Sequence, residues 1–246
     1  LGWSDAEHLA IDPDLQTLRT DPRWERVTAG LARLAEGDRK LWGGAAFRTP
    51  YRETLPEEER IAGLARYWAE VRSNFAFFDQ VPELDWDAAF LETLPKVRAA
   101  SATADYYRVL QELSARLRDG HTNISPPKEL RPTRPALRTA RIEGRVVITR
   151  VLDPSLLEAG LLPGCEVVSI DGEPVESYAN RRVRPYQAAS TPQDLEVRTY
   201  DYALLSGPAG TEVELLIEDH AGARHTIRVV RRPQEEIDRL APPPDP

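Results

Sequence analysis

Four prolines, Pro126, Pro127, Pro132 and Pro135, fall within ten residues, and the spacing of apolar side chains changes across them. A proline lacks the backbone donor and biases its predecessor toward extended backbone, so neither a helix nor a central strand runs through this stretch. Before it, apolar residues recur at the helical period. After it, they alternate at the period of a strand. The chain therefore reads as α+β in two domains: an all-α helical N-terminal unit, a Pro-rich linker over residues 126–136, and a β-rich module. Its 246 residues suffice for two cores.

Residues 1–50 are polar and helical in pattern. Pro13 and Pro22 each follow an aspartate, as at a helix start where proline takes the first turn behind an N-cap, which predicts short helices there. Their apolar stripes come from Trp3, Leu9, Leu15, Leu18, Trp24, Val27, Leu31 and Leu34, before Gly43-Gly44 and Pro50 break the pattern. Residues 51–125 form a stronger helical unit. Glu57, Glu58 and Glu59 sit in a first turn, where the positive helix end favours acids, ahead of Ile61, Leu64, Ala65, Trp68 and Val71. Asp85 starts a further helix. Thr103 or Asp105 caps another, in which Tyr106, Val109, Leu110, Leu113 and Leu117 recur until Asp119-Gly120-His121-Thr122. Gly120 suits the left-handed position that ends a helix.

The second domain spans residues 137–233. Arg145 to Val151 is rich in β-branched residues and follows a Glu143-Gly144 turn, so it reads as a strand. Asp153-Pro154-Ser155 opens a short helix ended by Gly160. Glu166 to Ile170 returns as strand before an Asp171-Gly172 turn, and residues 211–218 and 224–230 make a hairpin through Asp219 to Gly222. Residues 234–246, closing on Ala241 to Pro246, read as a tail or linker.

Composition narrows the function. Hydrophobic residues make up 41% and charged ones 29%, which excludes a disordered chain, and no apolar run approaches the length of a membrane span. A formal net charge of −8 disfavours nucleic acid as a partner, and Arg181, Arg182 and Arg184 read as a solvated face. Cys165 stands alone, so it forms no internal disulfide and reads as a packing residue. His8, His121, His220 and His225 lack zinc-site spacing, so no metal is expected. The chain opens on Leu1 and contains no Met, which leaves a removed leader open.

The block from Gly160 to Val175, with Leu161-Leu162-Pro163-Gly164, Val167-Val168-Ser169-Ile170 and Asp171-Gly172, resembles the turn-strand-turn signature of bacterial-type PDZ domains, which often carry Asp where Cys165 stands. That resemblance implies an extended peptide added along a sheet edge beside a helix. By analogy the edge is Arg145 to Val151, with Val147 and Ile148 as peptide-binding residues. The segment from Tyr178 to Ser206 is longer than an ordinary PDZ helix and loop.

Upstream, Tyr67-Trp68, Asn74 to Asp79, Asp85-Trp86-Asp87, Tyr106-Tyr107 and Leu117 to Thr122 resemble the helical cap of tail-specific, or C-terminal-processing, serine peptidases of the tricorn-core type. In that family a cap, a Gly-His or Ser-His pair and a PDZ domain precede the domain carrying the serine, an order that residues 56–233 follow. The resemblance implies that His121 is the general base, since histidine titrating near 6.5 can take the proton of a serine hydroxyl and return it to the leaving amine. Other branches use a serine-lysine pair.

No Gly-x-Ser-x-Gly elbow is present, and Ser125, Ser155, Ser169, Ser177, Ser190 and Ser206 lie in turns or at strand ends. The nucleophile and the acid that orients the imidazole are accordingly expected outside this chain, as the N-terminal part of a larger enzyme that is inactive alone. The resemblance implies no cofactor, a peptide or unfolded-protein substrate, and export to the periplasm or cell exterior, with the cytoplasm and a homo-oligomer left open. Without it, His121 is a histidine beyond a helix C-terminus, favoured there by about 0.3–1 kcal/mol when protonated. The alternative function is a non-catalytic PDZ adaptor that binds peptide tails.

Overall fold

The computed structural model describes residues 6–44 and 50–240, and the chain divides into two compact units between Thr103 and Ala104. Trp3 and the proline-rich end from Ala241 to Pro246 lie outside the described residues. The fold class is α+β, as expected.

The first unit is helical. Helix α1 (Ala6–Ile11) leads into a 3₁₀ turn (Pro13–Thr20), and Asp12 Oδ1 caps the latter by accepting the Asp14 N–H at 2.9 Å. Helix α2 (Trp24–Trp42) runs for 19 residues, longer than the short helix expected, because nothing between Pro22 and Gly43 breaks it. Helices α3 (Glu57–Asn74) and α4 (Trp86–Ala99) pack on each other. Asp85 accepts the Ala88 N–H at 2.9 Å as the N-cap of α4. The α3–α4 seam joins Tyr67 edge-on to Trp86 and sets Trp68 against Phe90, with the Trp86 indole donating to the Trp68 carbonyl at 3.1 Å. Trp86 is buried, Tyr67, Trp68 and Phe90 are half-buried, and Phe77 is exposed.

Arg60 is buried in this unit, 7% exposed. Its guanidinium donates to the carbonyls of Val97 (3.0 Å), Leu55 (2.8 Å) and Arg98 (2.8 Å). The acceptors at Val97 and Arg98 belong to the last turn of α4, where carbonyls lack intrahelical partners, so the charge sits at the negative end of the helix.

The second unit opens with the rest of α5 (Thr103–Ala115). Arg108 donates to the Arg182 carbonyl at 2.9 Å and stacks 3.8 Å from the Tyr186 ring centroid. Gln111 and Ser114 bond the carbonyls of Ile124 (3.2 Å) and Thr122 (2.7 Å). These bonds explain why α5 clusters with the β-rich part. The proline stretch marks a change of period, and Thr133 and Arg134 within it bridge to Gly207 and Arg232.

Six strands form one antiparallel sheet: β1 (Leu137–Ile142), β2 (Arg145–Val151), β3 (Glu166–Ile170), β4 (Glu173–Pro174), β5 (Glu212–Glu218) and β6 (Arg224–Val230). Their order is β1-β2-β3-β5-β6, with β4 paired to β3. The β1–β2 and β3–β4 turns place Glu143-Gly144 (φ 50° and 81°) and Asp171-Gly172 (φ 49° and 77°) in the left-handed region, the backbone that matches the twist of a two-residue hairpin. Ile148, Leu161, Val167, Leu215 and Ile217 are fully buried, and Cys165 packs among them. Helices α6 (Pro154–Glu158), α7 (Val175–Tyr178) and α8 (Pro192–Val197) flank the sheet. Wider π-helical turns continue α7 through Ala179–Val183 and α8 through Arg198–Ala203, which fills the long segment between Tyr178 and Ser206. Helix α9 (Gln234–Leu240) occupies part of the stretch read as tail. No helix among the described residues is long and apolar enough to cross a membrane.

Candidate active-site loop

The chain leaves α5 in a tightened turn. Leu117 and Arg118 donate to the carbonyls of Ser114 (3.1 Å) and Ala115 (3.2 Å), and Arg118 takes the left-handed backbone (φ 49°). Gly120 is therefore not the left-handed residue that the sequence suggested. Glycine instead allows a close approach, since a Cβ would stand 2.8 Å from both Arg198 Nη2 and Asp194 Oδ2 and would push those side-chain ends aside.

Asp119 shapes the loop that follows. Its Oδ1 accepts the His121 N–H (3.2 Å), and its Oδ2 accepts both the Thr122 N–H (3.1 Å) and the Thr122 hydroxyl (2.6 Å). An aspartate that bonds backbone two and three residues ahead closes a local turn. Burial pushes the Asp119 carboxyl up, but the bonds from Thr122, His121 and Ser190 outweigh that cost and hold it below the ordinary carboxylate range.

The turn presents His121 to solvent. Its side chain is 98% exposed, and its polar neighbour is Asp119 Oδ1, 3.7 Å from Nδ1, beyond hydrogen-bonding distance. Asp119 thus fixes the backbone of His121 without gripping the imidazole, and both ring nitrogens are available. No serine hydroxyl bonds the ring among the described residues. The Ser190 hydroxyl bonds the backbone of the loop instead.

That serine belongs to a second set of residues, around the start of α8. Ser190 Oγ accepts the Gly120 N–H at 2.8 Å and donates to Asp119 Oδ1 at 3.3 Å. Arg198 Nη2 and Asn123 Nδ2 both donate to the Gly120 carbonyl, at 3.1 and 2.6 Å. Asp194 accepts from Arg198 Nε (2.8 Å) and from the Ser190 N–H (3.2 Å), while the Thr191 hydroxyl caps α8 by accepting the Asp194 N–H (3.1 Å). Sequence reasoning missed these residues. Thr191-Pro192-Gln193-Asp194 does carry a helix-start signal, a capping hydroxyl three residues before an acid with proline in the first turn. Nothing in the sequence tied that start to Gly120.

Val147 and Ile148 are not on a sheet edge. Strand β2 pairs with β1 along its length on one side. On the other, Val147 faces Glu166 of β3, while Ile148 donates to the Cys165 carbonyl (2.9 Å) and accepts from the Gly164 N–H (2.7 Å). Ile148 is fully buried in the core. The edges are β1 and β6. The sequence pattern hid β1 because Arg138 and Arg141 stand among its six residues and the inward-facing Thr139 is polar.

Strand β1 lies beside α8 and its continuation. The Thr139 hydroxyl donates to the Tyr200 carbonyl (2.5 Å), and Arg141 pairs with Glu176 (3.0 Å) and Glu196 (3.1 Å). Arg184 also pairs with Glu196. The Tyr200 hydroxyl donates to Glu176 at 2.6 Å, and burial together with that acidic partner pushes the phenol up to about 12.

A cleft of about 1390 Å³ opens elsewhere in the same unit, walled by Tyr107, Arg108, Lys128, Tyr186 and Arg232 among others. Asn123 reaches its rim, but His121 is not part of its lining. Among the described residues no group of three or more His, Cys, Asp or Glu side chains is placed to hold a metal ion.

No protein-family profile matches the sequence, and no curated protein matches it significantly. Solved structures do share its fold. A mutant of CPAF, a chlamydial protease, superposes with a TM-score of 0.56 at 15% identity, covering 70% of this chain and 33% of that one. Mature CPAF gives a TM-score of 0.52 at 14% identity over 76% of this chain and 38% of that one. The chain thus spans about a third of those proteins' length. A PDZ domain of a carboxy-terminal protease from Vibrio cholerae, solved with a peptide, also matches, at 20% identity over 41% of this chain and 94% of that domain, with a TM-score of 0.26. The fold defined here is one found in a protease.

Proposed function

We propose that this chain is the recognition and general-base portion of a serine peptidase that cleaves peptide or unfolded-protein tails, with His121 as the base. The observation that carries the reading is the placement of His121. Its imidazole is 98% exposed on a loop whose backbone is bonded at residues 120, 121 and 122, so the proton acceptor sits on a fixed mount. A histidine serving only to pack would be enclosed. The fold shared with CPAF supports the same reading.

In the reaction, the neutral imidazole takes the proton of the serine hydroxyl as oxygen attacks the scissile carbonyl, then returns it to the departing amine. The serine and the acid that orients the ring come from a further domain. The peptide is held by the β-rich module at the β1 edge beside α8. Main-chain bonding there gives affinity without demanding one sequence. Arg141, which spans to Glu176 and Glu196 at that edge, is the cation a bound carboxylate would meet.

The test is His121→Ala in the polypeptide that includes the serine domain, assayed on an unstructured protein. Loss of a general base lowers kcat/KM by roughly 10³-fold or more. Hydrolysis within a few-fold of wild type would refute the role. Peptide binding with no hydrolysis by the wild type would favour an adaptor.

A further inference from the structure

We infer that Ser190, Asp194 and Arg198 are positioning residues for His121, acting through the backbone of Gly120. This rests on His121 being the base. Both polar groups of the Gly120 peptide are taken by side chains 70 and 78 residues further along the chain: the N–H by Ser190 Oγ at 2.8 Å and the carbonyl by Arg198 Nη2 at 3.1 Å. Asp194 links the two side chains, accepting from the Arg198 guanidinium through Oδ1 and from the Ser190 N–H through Oδ2. Ser190 then reaches Asp119, whose carboxylate turns the backbone at His121 and Thr122.

A loop that served only as a connection would not need this. Gly120 admits no Cβ without displacing Arg198 and Asp194, so the residue type itself is matched to the grip. Direction also matters. The bonds converge on the residue before His121 and on the carboxylate bonded to its N–H, and none touches the ring. Such a grip fixes the Cα–Cβ vector of His121 while leaving its nitrogens free, as a general base requires, since catalytic groups must be held to within about 0.5 Å and a displacement of about 1 Å costs on the order of 10²-fold in rate.

The experiment has two arms, each using Ser190→Ala with Ser190→Thr as the conservative rescue. In the 246-residue chain, amide hydrogen exchange of Gly120 should accelerate roughly five- to ten-fold in Ser190→Ala and return toward wild type in Ser190→Thr, with an unchanged unfolding midpoint showing that the fold is intact. In the polypeptide that includes the serine domain, Ser190→Ala should lower kcat roughly 10- to 100-fold with KM within two-fold, and Ser190→Thr should restore it. Unchanged Gly120 exchange overturns the grip. Faster exchange with unchanged kcat, while His121→Ala abolishes hydrolysis, overturns the positioning role and leaves the base assignment standing. Hydrolysis surviving in His121→Ala removes the base itself and reduces the three residues to a structural staple.

Discussion

Acidification is the direct way to loosen the loop that carries His121, because Asp119 spends its charge on holding that loop. Its carboxyl is 14% exposed and, against the cost of burial, its four hydrogen bonds lower its pKa. A group with a depressed folded-state pKa contributes stability that is fully present above the unfolded value, about 4 for aspartate, and is lost as pH falls through the folded value. In His121→Ala, where no imidazole titrates beside the turn, the amide resonance of Thr122 should therefore keep its position from neutrality down to about pH 4 and shift only below it. A midpoint near pH 6 would show that Asp119 does not organise the turn. At this scale the break before His121 was legible, since helical spacing ends there. Gly120 was read as the left-handed end of the helix, and its actual surroundings were not legible, because a close approach by residues 70 or more positions away leaves no trace in local sequence.

At the scale of elements, the first helical pair depends on one cation. Three carbonyls around Arg60 have their partner in its guanidinium, and Arg60→Met keeps the apolar stem while leaving them unsatisfied. Buried acceptors without donors are costly, so this substitution should destabilise the unit by about 2–3 kcal/mol, read from urea unfolding. A loss below about 0.5 kcal/mol would mean that water replaces the guanidinium. Strands β2 and β3 followed the sequence closely because β-branched runs and glycines at positive φ fix both their interiors and their ends. Strand β1 and helix α8 escaped notice. One carries arginines and an inward threonine whose hydroxyl is satisfied by Tyr200. The other is six residues long and changes pitch at Arg198, so no helical stripe develops.

For the whole molecule, the distribution of chromophores matches the division into units. All five tryptophans, Trp3, Trp24, Trp42, Trp68 and Trp86, precede Thr103, whereas the single cysteine lies in the β-rich unit. Each unit has its own core, so the two should lose structure at different denaturant concentrations. Indole emission should follow the helical unit, and thiol reactivity the other. Coincident midpoints would show instead that the chain unfolds as one cooperative body.

Cys165 has no exposed surface, so a thiol reagent can reach its sulfur only when the β-rich core opens. The rate at which the folded protein is alkylated under native conditions is therefore a clock for the breathing of that core. It also means that a cysteine introduced on the surface, for instance near the start of α8, can be labelled with a single fluorophore without first removing the native thiol.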